Sequence, residues 1–220
     1  MLQADAHLYD IVGLSLRVSF LAVIWAALAG LPIGALLAVG QFPGRKTMTV
    51  IVNGLMGLPA VVVGLAVYLL LSRAGPLGEF GLLFTPTAMS IAQAILVTPL
   101  LAALTRQIIE DAWLEYAEQL HSLGTKPWQA AVTLLWDTRW SLSTVLLAGF
   151  GRAISEVGAV MIVGGNIDGV TRVMTTSIAL ETSKGDLPLA MGLGIILVAL
   201  VLILNAVAHG IRTWAAVKFK

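Results

Sequence analysis

Long apolar runs alternate with short polar connections along this chain. Five runs are apolar over the roughly 20 residues that a helix needs to cross a bilayer. They are residues 11–40, 48–72, 86–107, 141–165 and 187–215. The connections between them are too short to form a soluble domain. The pattern therefore predicts an all-α integral membrane protein, with five transmembrane helices in one domain over residues 1–220.

The most polar connection lies between the third and fourth runs, at residues 111–140. It contains a charged helical segment that ends at Gly124, a break at Thr125–Pro127, and a second helical piece from Trp128 to Trp140. Of twelve acidic residues in the chain, five lie within residues 111–165, namely Asp111, Glu115, Glu118, Asp137 and Glu156. We predict that this helix–break–helix segment contacts another protein.

Polar residues and prolines interrupt the second and third runs. Asn53 and Pro59 lie in the second run, and Gln93 and Pro99 in the third. Proline removes a backbone donor, so both runs are predicted to bend. Asn53 and Gln93 are candidates for a pore-lining face. Alternatively, Gln93 forms a hydrogen bond to a neighbouring helix, and the glycines of the second run serve close packing.

Two opposite charges lie inside the fourth run. Arg152 and Glu156 are four residues apart, so a helix places them on one face, where they can pair. Charges within the bilayer rarely face lipid and are usually functional. One interpretation is a packing ion pair, and the other is part of a gate beside a conduit, which would include Ser155. A further helix is predicted at residues 173–181, either re-entrant or on the surface.

Composition narrows the class of protein. Hydrophobic residues make up 58% of the chain and charged residues 11%, against about 25% charged residues in soluble domains. The net charge of +1 gives no reason to expect nucleic-acid binding. The chain has no cysteine, and its three histidines do not have the spacing of a metal site. The first residues do not include the basic region that begins a cleavable signal peptide, so no such peptide is predicted.

Orientation is predicted from the basic residues, which accumulate on the cytoplasmic side of membrane proteins. With the N-terminus outside, eight fall inside and four outside. The inside residues are Arg45, Lys46, Arg106, Lys126, Arg139, Arg212, Lys218 and Lys220; the outside ones are Arg17, Arg73, Arg172 and Lys184. The bias predicts an outside N-terminus, a cytoplasmic C-terminus, and residues 111–140 in the cytoplasm.

Residues 111–140 resemble the loop shared by the permease subunits of binding-protein-dependent ABC (ATP-binding cassette) importers. That loop reads Glu-Ala-Ala, three residues, Gly, nine residues, then a hydrophobic residue followed by x-Leu-Pro. Glu118 stands six residues before Gly124, as in the pattern, and Leu134 stands ten after it. The chain departs from the pattern at two places. It has Gln119 and Leu120 where the pattern has two alanines, and Trp136-Asp137 where the pattern has Leu-Pro.

Other segments are similar to the oxyanion permeases of the molybdate/sulfate-like type I class. These are residues 58–64, 72–78, 150–158 and 164–166. The wording of residues 171–176 and 179–186, Thr-Arg-Val-Met-Thr-Thr and Ala-Leu-Glu-Thr-Ser-Lys-Gly-Asp, resembles the tungstate permease family most closely. The resemblance covers nearly the whole chain from about residue 11.

This resemblance implies a MetI-like permease fold and a transport subunit of the prokaryotic inner membrane. It implies a second copy of the chain, two cytoplasmic ABC ATPases and an extracytoplasmic oxyanion-binding protein as partners. Glu118, Gly124 and Trp128 would couple the permease to the ATPase. The chain itself has no phosphate-binding P-loop. ATP and Mg²⁺ are therefore expected on the partner, with no cofactor, metal or catalytic residue here.

Several alternatives remain open at the level of sequence. The anion is expected to be tungstate, with molybdate or sulfate as alternatives. A secondary transporter would work without an ATPase and would not need residues 111–140. An intramembrane enzyme built on Arg152, Ser155 and Glu156 lacks a histidine or lysine base nearby in sequence. A structural scaffold would have no reason to keep charges in mid-membrane.

Overall fold

The computed structural model describes residues 2–218, with side chains described for residues 8–207 and 210. Every regular element in this range is helical. The helices are α1 (Leu2–Val39), α2 (Arg45–Leu55), α3 (Ala60–Leu71), α4 (Pro86–Ser122), α5 (Pro127–Asp137), α6 (Arg139–Ile154), α7 (Gly158–Gly164), α8 (Met174–Lys184) and α9 (Leu187–Lys218). The predicted cytoplasmic anchors Arg212, Lys218 and Lys220 lie outside the described side chains.

The predicted membrane spans correspond to three unbroken helices and two bent pairs. Within the described residues, α1, α4 and α9 are each long and apolar enough to cross a membrane. The pair α2–α3 is bent by 99° and the pair α6–α7 by 59°. Counting each pair as one span gives the five predicted spans, and the all-α membrane fold class is confirmed.

The second predicted span, residues 48–72, is broken rather than merely bent. Helix α2 ends at Leu55 and α3 begins at Ala60, with Pro59 in extended conformation just before it. Proline has no N–H to continue the helical hydrogen bonds, and its ring opposes helix in the residue before it. Because both effects act at Pro59, the chain turns by nearly a right angle there.

Helix α4 is longer than the sequence predicted. The Thr85 hydroxyl accepts a hydrogen bond from the Ala88 N–H and caps its start, and Pro86 occupies the first turn. The helix then runs unbroken to Ser122, so the predicted third span (86–107) and the charged segment from residue 111 form one helix. Residues 108–122 contain no glycine or proline. Charge ends the apolar run, but it does not end the helix.

The main packing contact joins α1 to α4. Gly34 of α1 lies so close to α4 that a Cβ at this position would overlap the carbonyl oxygen of Ala102. Such small residues let helix backbones approach in a membrane, where lipid removes the hydrophobic driving force between helices. Gly64 of α3 packs on Ala159 of α7 in the same way, which supports the packing interpretation for that glycine.

Two further element boundaries follow from local sequence. The predicted helix at residues 128–140 ends at Asp137, and Arg139 already begins α6. The helix predicted at residues 173–181 is present as α8, Met174–Lys184. Gly185 ends it with φ of 85°, and the Asp186 N–H donates to the Glu181 carbonyl. Helix α8 then packs back along α9.

Candidate functional site

The break between α6 and α7 holds most of the predicted polar residues. Helix α6 ends at Ile154, and α7 begins at Gly158 after the three residues Ser155, Glu156 and Val157. A broken helix at membrane depth must have its freed backbone groups satisfied by protein or by water in a cavity. The contacts around this break show how that requirement is met.

An ion pair bridges the break. The Arg152 guanidinium donates to the Glu156 carboxylate at 2.7 Å, as the four-residue spacing predicted. Glu156 nevertheless lies beyond the end of α6, because the helix stops two residues before it. Its other carboxylate oxygen accepts from the Ala159 N–H at 3.2 Å. The side chain of Glu156 is only 4% exposed, whereas that of Arg152 is 37% exposed. The arginine is therefore accessible and the glutamate is not.

Neighbouring helices satisfy the carbonyls at the break. The Gln93 amide of α4 donates to the Ala153 carbonyl at 2.9 Å. The Thr175 hydroxyl of α8 donates to the Glu156 carbonyl at 2.8 Å. All of these groups are buried. Gln93 thus makes the interhelical hydrogen bond that the sequence offered as one interpretation, and the break is tied to both α4 and α8.

Sequence reasoning did not single out Thr175. The only signal was the cluster of hydroxyl residues at the start of α8, where Thr175, Thr176 and Ser177 are all buried. A hydroxyl at this position needs the fold to bring α8 against the break before it can donate to the Glu156 carbonyl. Residues 19 apart in sequence give no local pattern for such a contact.

The structure groups four of the five pore or gate candidates. Gln93, Arg152, Ser155 and Glu156 meet at the break, where Ser155 is exposed and its hydroxyl donates to the Arg152 carbonyl. Asn53 is also exposed, but it lies on α2, which packs on α4. No hydrogen bond or ion pair between described side chains joins it to the residues at the break.

The second candidate site is the turn between α4 and α5. Gly124 has φ of 67°, the left-handed conformation that glycine commonly adopts just after the end of a helix. Its N–H donates to the His121 carbonyl, and the N–H and hydroxyl of Thr125 both donate to the Leu120 carbonyl. These hydrogen bonds cap the C-terminal end of α4. Pro127 then starts α5, where the Lys126 N–H donates to the side chain of Gln129.

Helix α5 has a buried face and an exposed apolar face. Ala130, Ala131 and Leu134 are buried in a cluster with Ala35 of α1 and Ile109 of α4. On the other side Trp128 is 59% exposed, Val132 59% and Trp136 72%. Glu118, at the end of α4, is exposed as well. We name the exposed residues Trp128, Val132 and Trp136 the α5 face.

Two large apolar residues near the α5 face were not predicted. Leu114 is 84% exposed and Leu123 is 77% exposed. Where exposed apolar side chains outside the predicted spans form a patch, that patch marks a contact with another protein or with the membrane. The charged residues around Leu114 hid its signal in the sequence. Nearby, the Glu115 carboxylate raises the pKa of the Tyr116 phenol.

A cluster of charges at the same end of the bundle was also missed. The Arg45 guanidinium donates to the Glu110 carboxylate at 2.8 Å and to the carbonyls of Leu37 and Ala38 at the end of α1. Arg106 pairs with the same carboxylate. A cation at a helix C-terminus is stabilising because the last carbonyls are unpaired. The cluster links α1, α2 and α4, and no sequence motif predicts it.

Among the residues with described side chains, no group of three or more histidine, cysteine, aspartate or glutamate residues is arranged to hold a metal ion.

Comparisons with known proteins agree with one another over nearly the full length of the chain. No family model matches the sequence. The tungstate uptake system permease protein TupB of Peptoclostridium acidaminophilum is 42% identical over 208 residues, which cover 94% of this chain and 91% of that protein. A probable anion ABC transporter permease of Haloferax volcanii is 41% identical over 211 residues, covering 94% and 91%.

A solved structure shares the fold. It is the MetNI methionine ABC transporter in an inward-facing conformation, with a TM-score of 0.74. The match covers 94% of this chain and 95% of that one at 20% sequence identity. This similarity concerns the arrangement of the helices, and it agrees with the predicted MetI-like fold.

Proposed function

The chain belongs to the family of ABC transporter permeases that includes the tungstate uptake permeases, and from this premise we propose that it is the membrane-spanning subunit of a tungstate importer. The observation that carries the proposal is the 42% identity to a tungstate permease over 94% of the chain. Helices α1, α4 and α9 and the two bent pairs supply the membrane spans. The substrate would cross by alternating access.

The proposed assembly contains two copies of this chain, two cytoplasmic ATPase subunits and an extracytoplasmic oxyanion-binding protein. One set of five spans supplies half of a translocation path. Helix α2 buries none of its residues within the chain, which leaves its surface available to a second copy. The membrane is the prokaryotic plasma membrane, with the N-terminus outside and the α5 face in the cytoplasm.

The α5 face would dock into the ATPase. Trp128 and Trp136 are large, exposed and apolar, the kind of side chain that anchors a protein interface. Movement of α5 would reach the membrane through two routes. The buried face of α5 packs on α1 and α4, and the turn at Gly124 connects α5 directly to α4, which is continuous across the membrane. ATP and Mg²⁺ would bind the ATPase.

The break between α6 and α7 would form part of the gate. Arg152 offers a partly exposed positive charge beside Ser155, while Glu156 neutralises part of that charge. A passing dianion would be attracted without being bound tightly, which transport requires. Gln93 and Thr175 hold the break in place, so the gate would open by movement of α4 and α8.

A single transport assay tests the substrate. Proteoliposomes would carry this chain with its ATPase and binding protein, and uptake of radiolabelled tungstate would be measured with and without ATP. We expect ATP-dependent uptake that persists in excess molybdate or sulfate. Equal suppression by molybdate would make tungstate one substrate among several. Uptake without ATP would contradict the importer and support a secondary transporter.

A second assay tests the α5 face. Trp128→Ala and Trp136→Ala are each expected to weaken ATPase binding at least tenfold, because buried tryptophans at interfaces contribute about 2 kcal/mol or more. Thr133→Ala is the matched control, since Thr133 is exposed on the same helix. Binding of detergent-solubilised permease to the ATPase would be measured by surface plasmon resonance. Unchanged affinity in both tryptophan variants would place the docking site elsewhere.

A further inference from the structure

An apolar groove of about 840 Å³ lies between α1, α6 and α9. Its walls include Phe20 and Ile24 of α1, Leu146 and Phe150 of α6, and Leu204 and Val207 of α9. Neither the proposed gate nor the α5 face uses these residues. Because all three helices contribute to membrane spans, the groove opens to the bilayer and has to be filled by something apolar.

The groove is closed at one end by packing. Ile11 of α1 and Ile154 of α6 form a core with Met174, and Leu197, Leu200 and Val201 of α9 pack against it. One to two turns further along α9, Leu204 and Val207 line the groove instead. The three helices therefore meet at one level and leave space between them at the next.

A single positive charge lies at this closed end. Arg17 lines the groove, is exposed, and stands inside the apolar segment Leu8–Val39. It forms no ion pair with any side chain that the structure describes. The charge bias places Arg17 at the outer side, so its guanidinium is expected at the headgroup level, where a lipid phosphate can pair with it.

The length of the groove fits one lipid leaflet. Its α1 wall extends from Leu16 to Ala27, which is about 16 Å of helix. One leaflet contributes about half of the 30 Å hydrocarbon core. A single acyl chain can therefore lie along the wall while its headgroup stays at the end that carries Arg17.

We propose that this groove binds one anionic phospholipid, with an acyl chain between α1, α6 and α9 and the headgroup phosphate on the Arg17 guanidinium. The lipid would supply an apolar chain that fills the space between the helices and a negative charge that pairs with Arg17. It would stabilise the position of α9, which packs on α6 and α8. The proposal does not depend on which anion is transported.

The test uses the full-length permease in complex with its ATPase, delipidated and transferred to phosphatidylcholine nanodiscs. Phosphatidylglycerol is then added back, and native mass spectrometry counts the molecules bound per chain. Arg17→Gln removes the charge, and Ala27→Trp fills the groove. The matched controls are Arg73→Gln, an exposed arginine after α3, and Leu69→Trp, an exposed leucine on α3.

We expect one retained phosphatidylglycerol per chain in the wild type and in both controls. Arg17→Gln should weaken its binding about fivefold, the usual contribution of one basic residue to anionic lipid binding, and Ala27→Trp should abolish it. Equal retention in all five proteins would overturn the proposal. Dissociation of the permease pair by Ala27→Trp, with lipid binding unchanged, would place a second copy in the groove and also overturn it.

Discussion

At the residue scale, Glu156 shows how a buried charge is tolerated in a membrane protein. Its carboxylate accepts from Arg152 on one side and from the Ala159 N–H on the other. Its own carbonyl accepts from Thr175. Burying a carboxylate without such partners is strongly unfavourable. The pairing with Arg152 was predicted from the sequence. The bonds from the Ala159 N–H and from Thr175 became apparent only in the structure.

A double-mutant cycle measures the Arg152–Glu156 pair. Arg152→Gln, Glu156→Gln and the double variant would be compared by their free energies of unfolding in detergent, from titration with sodium dodecyl sulfate. We expect a coupling of about 1–3 kcal/mol, because the two side chains are in direct contact and one is buried. The Lys184–Glu181 pair, with Lys184 half exposed, is the control and should couple by less than about 1 kcal/mol. Equal coupling in the two pairs would count against a special role for the break.

Gln93 can be tested in the same way. Gln93→Leu removes the donor from α4 and leaves the Ala153 carbonyl with only its backbone partner, the Glu156 N–H, so it should destabilise the protein by about 0.5–1.5 kcal/mol, the net contribution of one hydrogen bond. Thr98→Val is the control on the same helix, because the Thr98 hydroxyl bonds only to the Ala94 carbonyl of α4 itself. A Gln93→Leu variant as stable as Thr98→Val would show that the interhelical bond contributes nothing.

At the element scale, α4 connects the membrane to the proposed docking site. It continues past its apolar run because nothing in residues 108–122 breaks a helix, and it stops where Gly124 turns left-handed. Helix α5 then folds back so that Leu134 is buried against α1 and α4. The proposed docking site is consequently joined to the membrane-spanning part of α4 through one turn between a long helix and a short one.

Replacing Gly124 tests that turn. Gly124→Val should cost about 1–3 kcal/mol locally, since a β-branched residue opposes positive φ. We expect a displaced α5, weaker ATPase binding and reduced ATP-driven uptake. Gly151→Ala is the matched control, because Gly151 lies within α6 with open space around it and should tolerate a methyl group. Wild-type uptake by Gly124→Val would argue against coupling through this turn.

At the scale of the whole molecule, packing and charge divide the bundle into two ends. The break and Arg152 lie towards one end, and the α5 face and the Arg45–Glu110–Arg106 cluster lie at the other. The long helices α1 and α4 join the two ends through the close contact at Gly34. This arrangement suits a subunit that transmits movement from an ATPase to a gate.

Membrane orientation is a prediction for the whole molecule. The chain has no cysteine, so single cysteines can be introduced without background. Asp10→Cys and Ala74→Cys should react with a membrane-impermeant maleimide added to intact cells, and Ser122→Cys should react only after the cells are opened. All three positions are exposed. The reverse labelling pattern would overturn the predicted outside N-terminus.

The sequence by itself determined the class of protein, its spans and its family. Apolar runs of sufficient length specify membrane helices, because the bilayer leaves the backbone few other solutions. Local chemistry also determined the break at Pro59, the left-handed turn at Gly124 and the pairing of Arg152 with Glu156. Each of these depends on residues within a few positions of one another.

Only the tertiary structure decided what depends on distant residues. The bonds from Gln93 and Thr175 to the break, the burial of Glu156, the cation Arg45 at the end of α1 and the groove beside Arg17 each join separate helices. The same holds for Leu114 and Leu123, because the fold leaves both side chains exposed. Helix periodicity says which residues share a face, but the packing partner of that face is set by the fold.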